Sequence, residues 1–225
     1  MPPDLTLPPF VSNPDGVVFD LDGVLCDTEP LWAEARFAVA AEVGGRLVEE
    51  DFHRFYGANT PQWGSAMAEI LGHPDADEIA RRTIDRLEAL YRSGRVQAIP
   101  AGVAAVRRAA ARGPVAIASG SPRRIIATLI EILGLADVVD TYVSCDEVAG
   151  GKPLPDVYLE ACRRIGIRPE RSLAIEDSLA GARAGKAAGM SVVVVPLPGA
   201  PSSTGAAEVA DVVLESLDEL PLAAR

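Results

Sequence analysis

The chain has 225 residues, of which 48% are hydrophobic and 5% are aromatic. This length suits one large domain, or a core domain with an insertion, built around aliphatic side chains. The formal net charge of −11 disfavours binding to nucleic acid and to anionic membranes, because like charges repel. Three scattered cysteines are too few for a disulfide framework or a zinc cluster. Residues 1–10 lack a signal-peptide pattern and no apolar run is long enough to span a membrane, so we expect a cytoplasmic protein.

The first predicted strand lies at residues 17–19, where a short run of β-branched and aromatic side chains stops at Asp20. No strand pattern follows between residues 28 and 95. Glycine and proline divide that stretch into about four predicted helices, at residues 29–43, 48–56, 61–71 and 76–91. We therefore predict a helical block inserted after the first strand.

Strands and helices alternate in the second half of the chain. Strands are predicted at residues 115–119, 138–144, 172–175 and 191–195, and helices at residues 102–112, 122–133, 156–165 and 179–188. Strands that alternate with helices of roughly 10–15 residues indicate βαβ units and a parallel sheet. The predicted fold class is α/β, with a Rossmann-like doubly wound parallel sheet as the core (residues 1–27 and 97–225) and an inserted helical domain (residues 28–96).

Polar side chains follow three of the predicted strands, at the edge where ligands bind in an open parallel sheet. The residues at these strand ends are Asp20 and Asp22 with Gly23, then Ser119, Gly120 and Ser121, and finally Glu176 and Asp177. Lys152 lies between the last two groups in the sequence, shortly before a predicted helix. We expect these side chains to meet at one edge of the sheet.

The chemistry of these residue types is that of phosphoryl transfer. Side chains at positions i and i+2 of an extended segment face the same side, so Asp20 and Asp22 are expected to converge. Adding Asp177 brings together carboxylates whose repulsion requires a cation, and Mg²⁺ suits such oxygen ligands. Lys152 and the Ser119 hydroxyl group can bind phosphate oxygens. One carboxylate can attack phosphorus and the other can act as general acid and base.

Each of these features alone is common in turns, helix caps or solvated surfaces, but the four occur here in order on successive strand ends. The chain resembles the haloacid dehalogenase superfamily of aspartate-based phosphotransferases over nearly its whole length. Residues 19–25 (FDLDGVL) resemble the first motif of that family, Ser119 the second, Lys152 the third, and Glu176 with Asp177 the fourth. The helical block resembles the family's cap domain. Residues 27–30 (DTEP) further resemble the β-phosphoglucomutase-like branch and its sugar-phosphate phosphatases.

The resemblance implies a role for each motif residue. Asp20 is the expected nucleophile, and Asp22 the expected general acid and base. The expected ligands of Mg²⁺ are Asp20, the backbone carbonyl of Asp22 and Asp177. Glu176 is expected either to bind the metal directly or to lie next to its ligands. Phosphate is expected to bind to Ser119, to the backbone amides that follow it and to Lys152. Gly23 is expected to allow a tight turn next to the phosphate.

Three positions favour a phosphatase within this superfamily. Dehalogenases and phosphonate hydrolases lack the second aspartate, which is present here as Asp22. β-Phosphoglucomutases carry a histidine at the position of Trp32 and an arginine at the position of Thr60. We therefore predict an Mg²⁺-dependent phosphoric monoester hydrolase that acts on a small phosphorylated metabolite, in particular a sugar phosphate, through an aspartyl phosphate. The alternatives are a phosphomutase of the β-phosphoglucomutase type and a non-catalytic member that binds a metabolite.

The cap is expected to select the substrate when it closes over the site. The candidate substrate-binding residues are Gly23, Trp32, Gly57, Asn59, Ser119, Gly120, Ser121 and Lys152, and further cap candidates are Arg36, His53, Tyr56 and Trp63. Arg123 and Arg124 begin a predicted helix, where one can reach the phosphate or both can be solvated. We expect a monomer or weak dimer whose partner is a small phosphorylated substrate, not nucleic acid or a membrane.

Overall fold

The computed structural model describes residues 13–55, 58–197 and 203–221. Its strands are β1 (Gly16–Phe19), β2 (Cys26–Asp27), β3 (Gln97–Ala98), β4 (Val115–Ser119), β5 (Thr141–Ser144), β6 (Ser172–Glu176), β7 (Ser191–Val194) and β8 (Val212–Val213). Six of them form one sheet in the order β5-β4-β1-β6-β7-β8, and every neighbouring pair is parallel. The first strand therefore lies inside the sheet, between β4 and β6.

Helices cover both faces of this sheet. They are α1 (Glu29–Glu42), α2 (Thr60–Leu71), α3 (Ala76–Leu90), α4 (Pro100–Ala110), α5 (Arg123–Ile132), α6 (Asp156–Ile165) and α7 (Leu179–Ala187). Successive side chains of a strand face opposite sides. Val17 and Phe19 of β1 accordingly belong to one buried cluster with α4 and α5, while Val18 belongs to a second cluster with α6 and α7. The predicted α/β fold with a doubly wound parallel sheet is confirmed.

A helical block separates β1 from the rest of the sheet in the sequence. It contains α1, α2, α3 and a 3₁₀ helix at Glu49–Arg54. The two short strands β2 and β3 pair in antiparallel fashion where the chain enters and leaves this block. Pro30 lies in the first turn of α1, where its missing amide hydrogen costs no helical hydrogen bond. The block is thus anchored close to the end of β1.

The observed elements differ from the predicted ones mainly at their ends. The strand predicted at residues 138–144 begins only at Thr141, because the amides of Val138 and Val139 both donate to the carbonyl of Leu135 in a turn. The helix predicted at residues 48–56 is the 3₁₀ helix Glu49–Arg54, and Tyr56 lies outside the described residues. Strands β2, β3 and β8 have two residues each, which is too short for a periodic pattern.

Gly102 in α4 allows that helix to approach the backbone that follows β1. A Cβ atom on Gly102 would lie 2.1 Å from the carbonyl oxygen of Val24. We expect Gly102→Ala to lower the free energy of unfolding by about 1–3 kcal/mol, the usual cost of overpacking, as measured by urea denaturation. Gly120→Ala is the control, because a Cβ atom there has no neighbour within 4 Å, and it should change the value by less than about 0.5 kcal/mol. Equal effects of the two substitutions would contradict this account.

Candidate active site

Three neighbouring strands bring the predicted site residues to one edge of the sheet. Asp20 directly follows β1, Ser119 is the last residue of β4, and Glu176 is the last residue of β6. Because β1 lies between β4 and β6 and all three are parallel, their carboxyl ends meet. The three side chains are buried. We call this the carboxyl edge of the sheet.

Lys152 connects two of these strands through its ammonium group. Its Nζ donates to Asp20 Oδ1 at 2.8 Å, to Glu176 Oε1 at 2.6 Å and to the carbonyl oxygen of Ala118 at 3.0 Å. An ammonium group has three N–H donors, so each has an acceptor. The side chain is buried, and a buried charge requires partners of this kind.

Glu176 is fixed from several sides. Its Oε1 also accepts from the hydroxyl group of Tyr158 at 2.5 Å, and its Oε2 accepts from Ser178 Oγ at 3.0 Å. Helix α7 packs so closely against the carboxylate that a Cβ atom on Gly181 would lie 1.8 Å from Oε1. The glutamate therefore holds its orientation, and through it the position of Lys152.

Asp22 is bound by a separate set of hydroxyl groups. Its Oδ2 accepts from Ser121 Oγ at 2.9 Å and from Ser119 Oγ at 3.2 Å, and its Oδ1 accepts from Thr28 Oγ1. Ser119 Oγ in turn accepts from the backbone amide of Ser121 at 3.0 Å. The two aspartates that begin the site thus have different environments, an ammonium group for Asp20 and hydroxyl groups for Asp22.

Asp177 completes a cluster of three buried carboxylates. Asp20, Glu176 and Asp177 each offer a ligand atom, and these atoms lie within 4.8 Å of one another. Gly23, at φ 81°, lies against this cluster, and a Cβ atom there would lie 2.3 Å from Asp177 Oδ2. Glycine is therefore required at position 23 both by the turn and by the close approach.

Burial makes these carboxylates difficult to ionise together. Burial raises the pKa of Asp20 to about 7, although the charge of Lys152 opposes this rise. Burial, and then the charges of Glu176 and Asp20, raise the pKa of Asp177 to about 9. Burial alone would lower the pKa of Lys152, but Asp20 and Glu176 raise it well above its ordinary value. The lysine therefore stays positively charged.

The carboxylate cluster fits a divalent metal ion. Three ionised carboxylates and one ammonium group carry two net negative charges, which one divalent cation would balance. All side-chain donors of the cluster are carboxylate oxygens, the ligands that hard cations prefer. Burial raises the pKa values of Asp20 and Asp177 and neighbouring carboxylates add to the rise, which a bound cation would oppose. The donor set thus suits a divalent cation.

A cavity of about 1130 Å³ opens between the carboxyl edge and the helical block. The sequence-predicted residues that line it are Asp20, Asp22, Gly23, Trp32, Arg36, His53, Trp63, Gly120, Ser121, Lys152 and Asp177. Trp32 packs edge-on against Trp63, with ring centroids 5.8 Å apart. The cavity therefore joins the buried carboxylates to an aromatic wall in the helical block.

Asn59 occupies a structural position at the start of α2. Its Oδ1 accepts from the amide of Gln62 at 3.1 Å, and Gln62 Oε1 accepts from the amide of Asn59 at 3.1 Å. This reciprocal pair is a capping box, which satisfies two amide groups that have no partner within the helix. Asn59 is not among the described residues that line the cavity. Gly57, another predicted substrate contact, lies outside the described residues.

Thr60 connects the helical block to the sheet domain. Its amide donates to Asp146 Oδ1 at 2.8 Å, and its Oγ1 donates to Asp146 Oδ2 at 2.6 Å. Asp146 lies in a short 3₁₀ helix, Cys145–Glu147, that follows β5. The Asp146 carboxylate thus lies at the N-terminal end of α2, where the helix dipole favours a negative charge. The contact therefore holds α2 in place over the cavity.

The two arginines after Ser121 bind carboxylates elsewhere. Arg123 pairs with Glu147 at 3.0 Å. Arg124 pairs with Asp85 at 2.5 Å and with Glu88 at 2.9 Å, both in α3. Neither arginine is among the described residues that line the cavity. Arg124 thus contributes to the contact between α3 and α5.

Two residues that donate hydrogen bonds to the site carboxylates were not predicted from the sequence. Thr28, which donates to Asp22, directly precedes α1, where a threonine is typical of a helix cap. Tyr158, which donates to Glu176, lies on the buried side of α6, where an aromatic residue is typical of a core. A weak signal exists for Tyr158, because a buried tyrosine hydroxyl group usually requires a partner.

The family model of haloacid dehalogenase-like hydrolases matches residues 14–189. The chain therefore belongs to this family of hydrolases, as the motifs predict. No helix in the described ranges has the length and apolar character needed to cross a membrane.

Relatives of known name indicate which kind of hydrolase this chain resembles. The chain is 32% identical over 217 residues to hexitol phosphatase B of Escherichia coli, which covers 90% of this chain and 92% of the relative. It is 33% identical over 186 residues to the E. coli fructose-1-phosphate phosphatase YqaB, covering 81% and 96%. A solved structure of a putative β-phosphoglucomutase from Thermotoga maritima is 29% identical, with a TM-score of 0.68 and coverage of 92% and 96%. The family and these phosphatases confirm the predicted enzyme class, a phosphoric monoester hydrolase.

Replacement of Lys152 should destabilise the protein, because Asp20 and Glu176 would remain buried without their partner. We expect Lys152→Met to lower the free energy of unfolding by about 3 kcal/mol or more, as for other broken buried ion pairs, in urea denaturation without metal. Lys186→Met is the matched control, because Lys186 pairs with Asp211 at a partly exposed site and should cost less than about 1 kcal/mol. A cost for Lys152→Met as small as that of the control would refute this role.

Proposed function

We propose that this protein is an Mg²⁺-dependent phosphatase that releases inorganic phosphate from a sugar phosphate through an aspartyl-phosphate intermediate on Asp20. The observation that carries the proposal is the separate placement of two aspartates on one cavity. Asp20 lies beside the ammonium group of Lys152, and Asp22 is held by hydroxyl groups. A nucleophile and a proton carrier are needed together, and they require different environments.

In the first step, a carboxylate oxygen of Asp20 forms a bond to phosphorus while the bond from phosphorus to the sugar oxygen breaks. Asp22 donates its proton to that departing oxygen. Thr28, Ser119 and Ser121 hold the carboxyl group of Asp22 during this transfer. The products of the step are the free sugar and the phosphorylated aspartate.

In the second step, a water molecule attacks the phosphorus of the aspartyl phosphate. Asp22, now ionised, accepts a proton from that water, and the bond between phosphorus and the oxygen of Asp20 breaks. Inorganic phosphate leaves, and both aspartates return to their starting states. The same residue therefore acts first as the acid and then as the base.

Lys152 and the loop after β4 are assigned to the phosphate. Because all three donors of Lys152 have acceptors, the lysine acts mainly through its positive charge beside the reacting group. Gly120 and Ser121 line the cavity next to Asp20, and a Cβ atom on Gly120 would meet open space. We assign the backbone of this loop to the phosphate oxygens, because the hydroxyl groups of Ser119 and Ser121 already donate to Asp22.

The proposed Mg²⁺ ligands are Asp20, Asp177 and the backbone carbonyl of Asp22. When bound, Mg²⁺ would neutralise phosphate charge and align the group for in-line attack. Glu176 belongs to the same carboxylate cluster, but both of its oxygens accept hydrogen bonds within the protein. We therefore assign Glu176 to holding Lys152 and to adding negative charge beside the metal.

The substrate class follows from the relatives and from the cavity. The two E. coli relatives are named for a hexitol phosphate and for fructose 1-phosphate, and the aromatic wall of Trp32 and Trp63 suits a carbon chain with apolar faces. We propose that a phosphorylated sugar or sugar alcohol is the natural substrate. The net charge of −11 and three free, buried cysteines support a cytoplasmic monomer or weak dimer without nucleic-acid or membrane partners.

Asp20→Asn should abolish turnover, because an amide cannot form the aspartyl phosphate. We expect phosphate release from hexitol phosphates and fructose 1-phosphate to fall by more than about a thousandfold, measured with saturating Mg²⁺. The fold should persist, because asparagine has the same shape and removes a carboxyl group whose burial raises its pKa to about 7. Circular dichroism and urea denaturation provide that control. Full activity of the variant would refute the mechanism.

The same assay distinguishes the phosphatase from a phosphomutase. A phosphatase releases phosphate from the panel without any activator. Conversion of β-glucose 1-phosphate to glucose 6-phosphate after addition of a bisphosphate, with no release of phosphate, would instead identify a mutase like the one named among the similar structures.

Removal of metal should stop the reaction reversibly. We expect EDTA to abolish phosphate release and excess Mg²⁺ to restore it, because the two negative charges left on the cluster need a divalent cation. Mg²⁺ should also raise the melting temperature, since a ligand that binds only the native state stabilises it by about 2.7 kcal/mol at a hundred times its Kd. Undiminished turnover after dialysis against EDTA would exclude a metal from the mechanism.

A further inference from the structure

Tyr158 is a fully buried tyrosine on α6 that contacts the active site only through other residues. It is not among the described residues that line the cavity. Its hydroxyl group donates to Glu176 Oε1 at 2.5 Å, and its ring centroid lies 5.2 Å from Lys152 Nζ. Tyr158 therefore touches both members of the buried Glu176–Lys152 pair from behind the reacting groups.

The hydroxyl group of Tyr158 is the donor in its contact with Glu176. A carboxylate has only acceptor oxygens. Burial, and then the charge of Glu176, raise the pKa of Tyr158 well above its ordinary value, so the hydroxyl group keeps its proton. A neutral donor next to a buried carboxylate replaces part of the hydration that the carboxylate has lost.

Two carboxylates compete for the single ammonium group of Lys152. Its Nζ donates to Glu176 Oε1 at 2.6 Å and to Asp20 Oδ1 at 2.8 Å. Glu176 Oε1 also accepts from Tyr158, and a second donor on one oxygen takes up part of its negative charge and weakens its attraction for the first. Loss of the tyrosine hydroxyl group would therefore draw the ammonium group toward Glu176 and away from Asp20.

The other donors to Glu176 cannot take the place of this hydroxyl group. Ser178 Oγ donates to Oε2 at 3.0 Å, and the amides of Asp177 and Ser178 donate to the same oxygen at 3.3 and 3.4 Å. A Cβ atom on Gly181 would lie 1.8 Å from Oε1, so the carboxylate has no room to turn. Within the described residues, Oε1 thus depends on Tyr158 and Lys152.

We propose that Tyr158 is a positioning residue of the phosphatase, whose hydroxyl group shares Oε1 of Glu176 with Lys152 and so keeps the ammonium group next to Asp20. This inference rests on the proposed function, in which the positive charge of Lys152 stabilises the phosphoryl group during transfer. It extends that function to a residue that touches neither the substrate nor the cavity. The hydroxyl group is required and not only the ring, because phenylalanine would fill the same volume of the core.

The first test observes Lys152 directly, because the chain contains only two lysines, Lys152 and Lys186. NMR of protein with isotope-labelled lysine gives one Nζ signal for each, and Lys186→Met assigns the two. Tyr158→Phe should change the chemical shift of Lys152 Nζ, since the ammonium group moves toward Glu176. The signal of Lys186, which pairs with Asp211 outside the site, should stay the same. An unchanged Lys152 signal would overturn the inference.

The second test measures turnover with saturating Mg²⁺. Tyr158→Phe should lower kcat for phosphate release about tenfold or more, as for loss of a hydrogen bond to a charged group, with KM within about twofold of wild type. Tyr142→Phe is the matched control, because its ring packs on Arg123 outside the cavity, and it should leave kcat unchanged. Val157→Ala removes buried volume from the same helix, so it should lower the urea midpoint without lowering kcat. An equal loss of kcat in Val157→Ala would show a purely structural role of this helix and overturn the inference.

The two tests together separate this inference from the proposed function. If the Lys152 signal shifts but kcat does not change, or kcat falls while the signal stays in place, turnover does not depend on Tyr158 through Lys152. The phosphatase then stands and the role of Tyr158 is wrong. If wild type releases no phosphate from any sugar phosphate, the proposed function is wrong, and the NMR shift alone decides whether Tyr158 positions Lys152.

Discussion

The carboxyl edge of the sheet depends on one buried ammonium group, that of Lys152. An isolated buried charge is costly, and here Asp20, Glu176 and Asp177 offer ligand atoms within 4.8 Å of one another. Lys152 binds two of them directly and so links β1 to β6. One positive charge does not balance three carboxylates, and burial together with neighbouring charges raises the pKa of Asp177 to about 9. The repulsion among these buried carboxylates is therefore also the source of the proposed affinity of the site for a divalent cation.

The position of β1 in the sheet explains how one lysine can organise the site. A strand between two parallel neighbours receives side chains from both, Ser119 from β4 on one side and Glu176 from β6 on the other. The helical block begins a few residues after Asp20, so Thr28 at its start can reach Asp22. Asp22, the proposed general acid and base, is thus bound jointly by the end of β4 and by the entrance to the helical block. Movement of that block would therefore alter the hydrogen bonds of Asp22 directly.

Much of the fold could be predicted because apolar runs mark the strands and the ends of those runs mark the site. Asp20, Ser119 and Glu176 are predictable in this way, since parallel strands place their carboxyl ends together. The hydrogen-bond partners of these site residues were harder to predict from the sequence. Thr28, which donates to Asp22, has the local sequence of an ordinary helix cap, and Tyr158, which donates to Glu176, has that of a core residue. Both contacts arise only when separate segments pack, so the local sequence does not reveal them. The same holds for the two-residue strands, which exist only through their pairing.

Trp32 and Thr60, the two positions at which the sequence departs from phosphomutases, both make structural contacts in the cap. Trp32 packs against Trp63 and against the guanidinium group of Arg36. Thr60 uses both its amide and its hydroxyl group on Asp146, so it holds the helical block against the sheet domain. Neither position carries the histidine or the arginine that the mutase alternative predicts there. Both positions instead stabilise the packing of the cap, which supports the proposal that water, and not a second sugar hydroxyl group, accepts the phosphoryl group from Asp20.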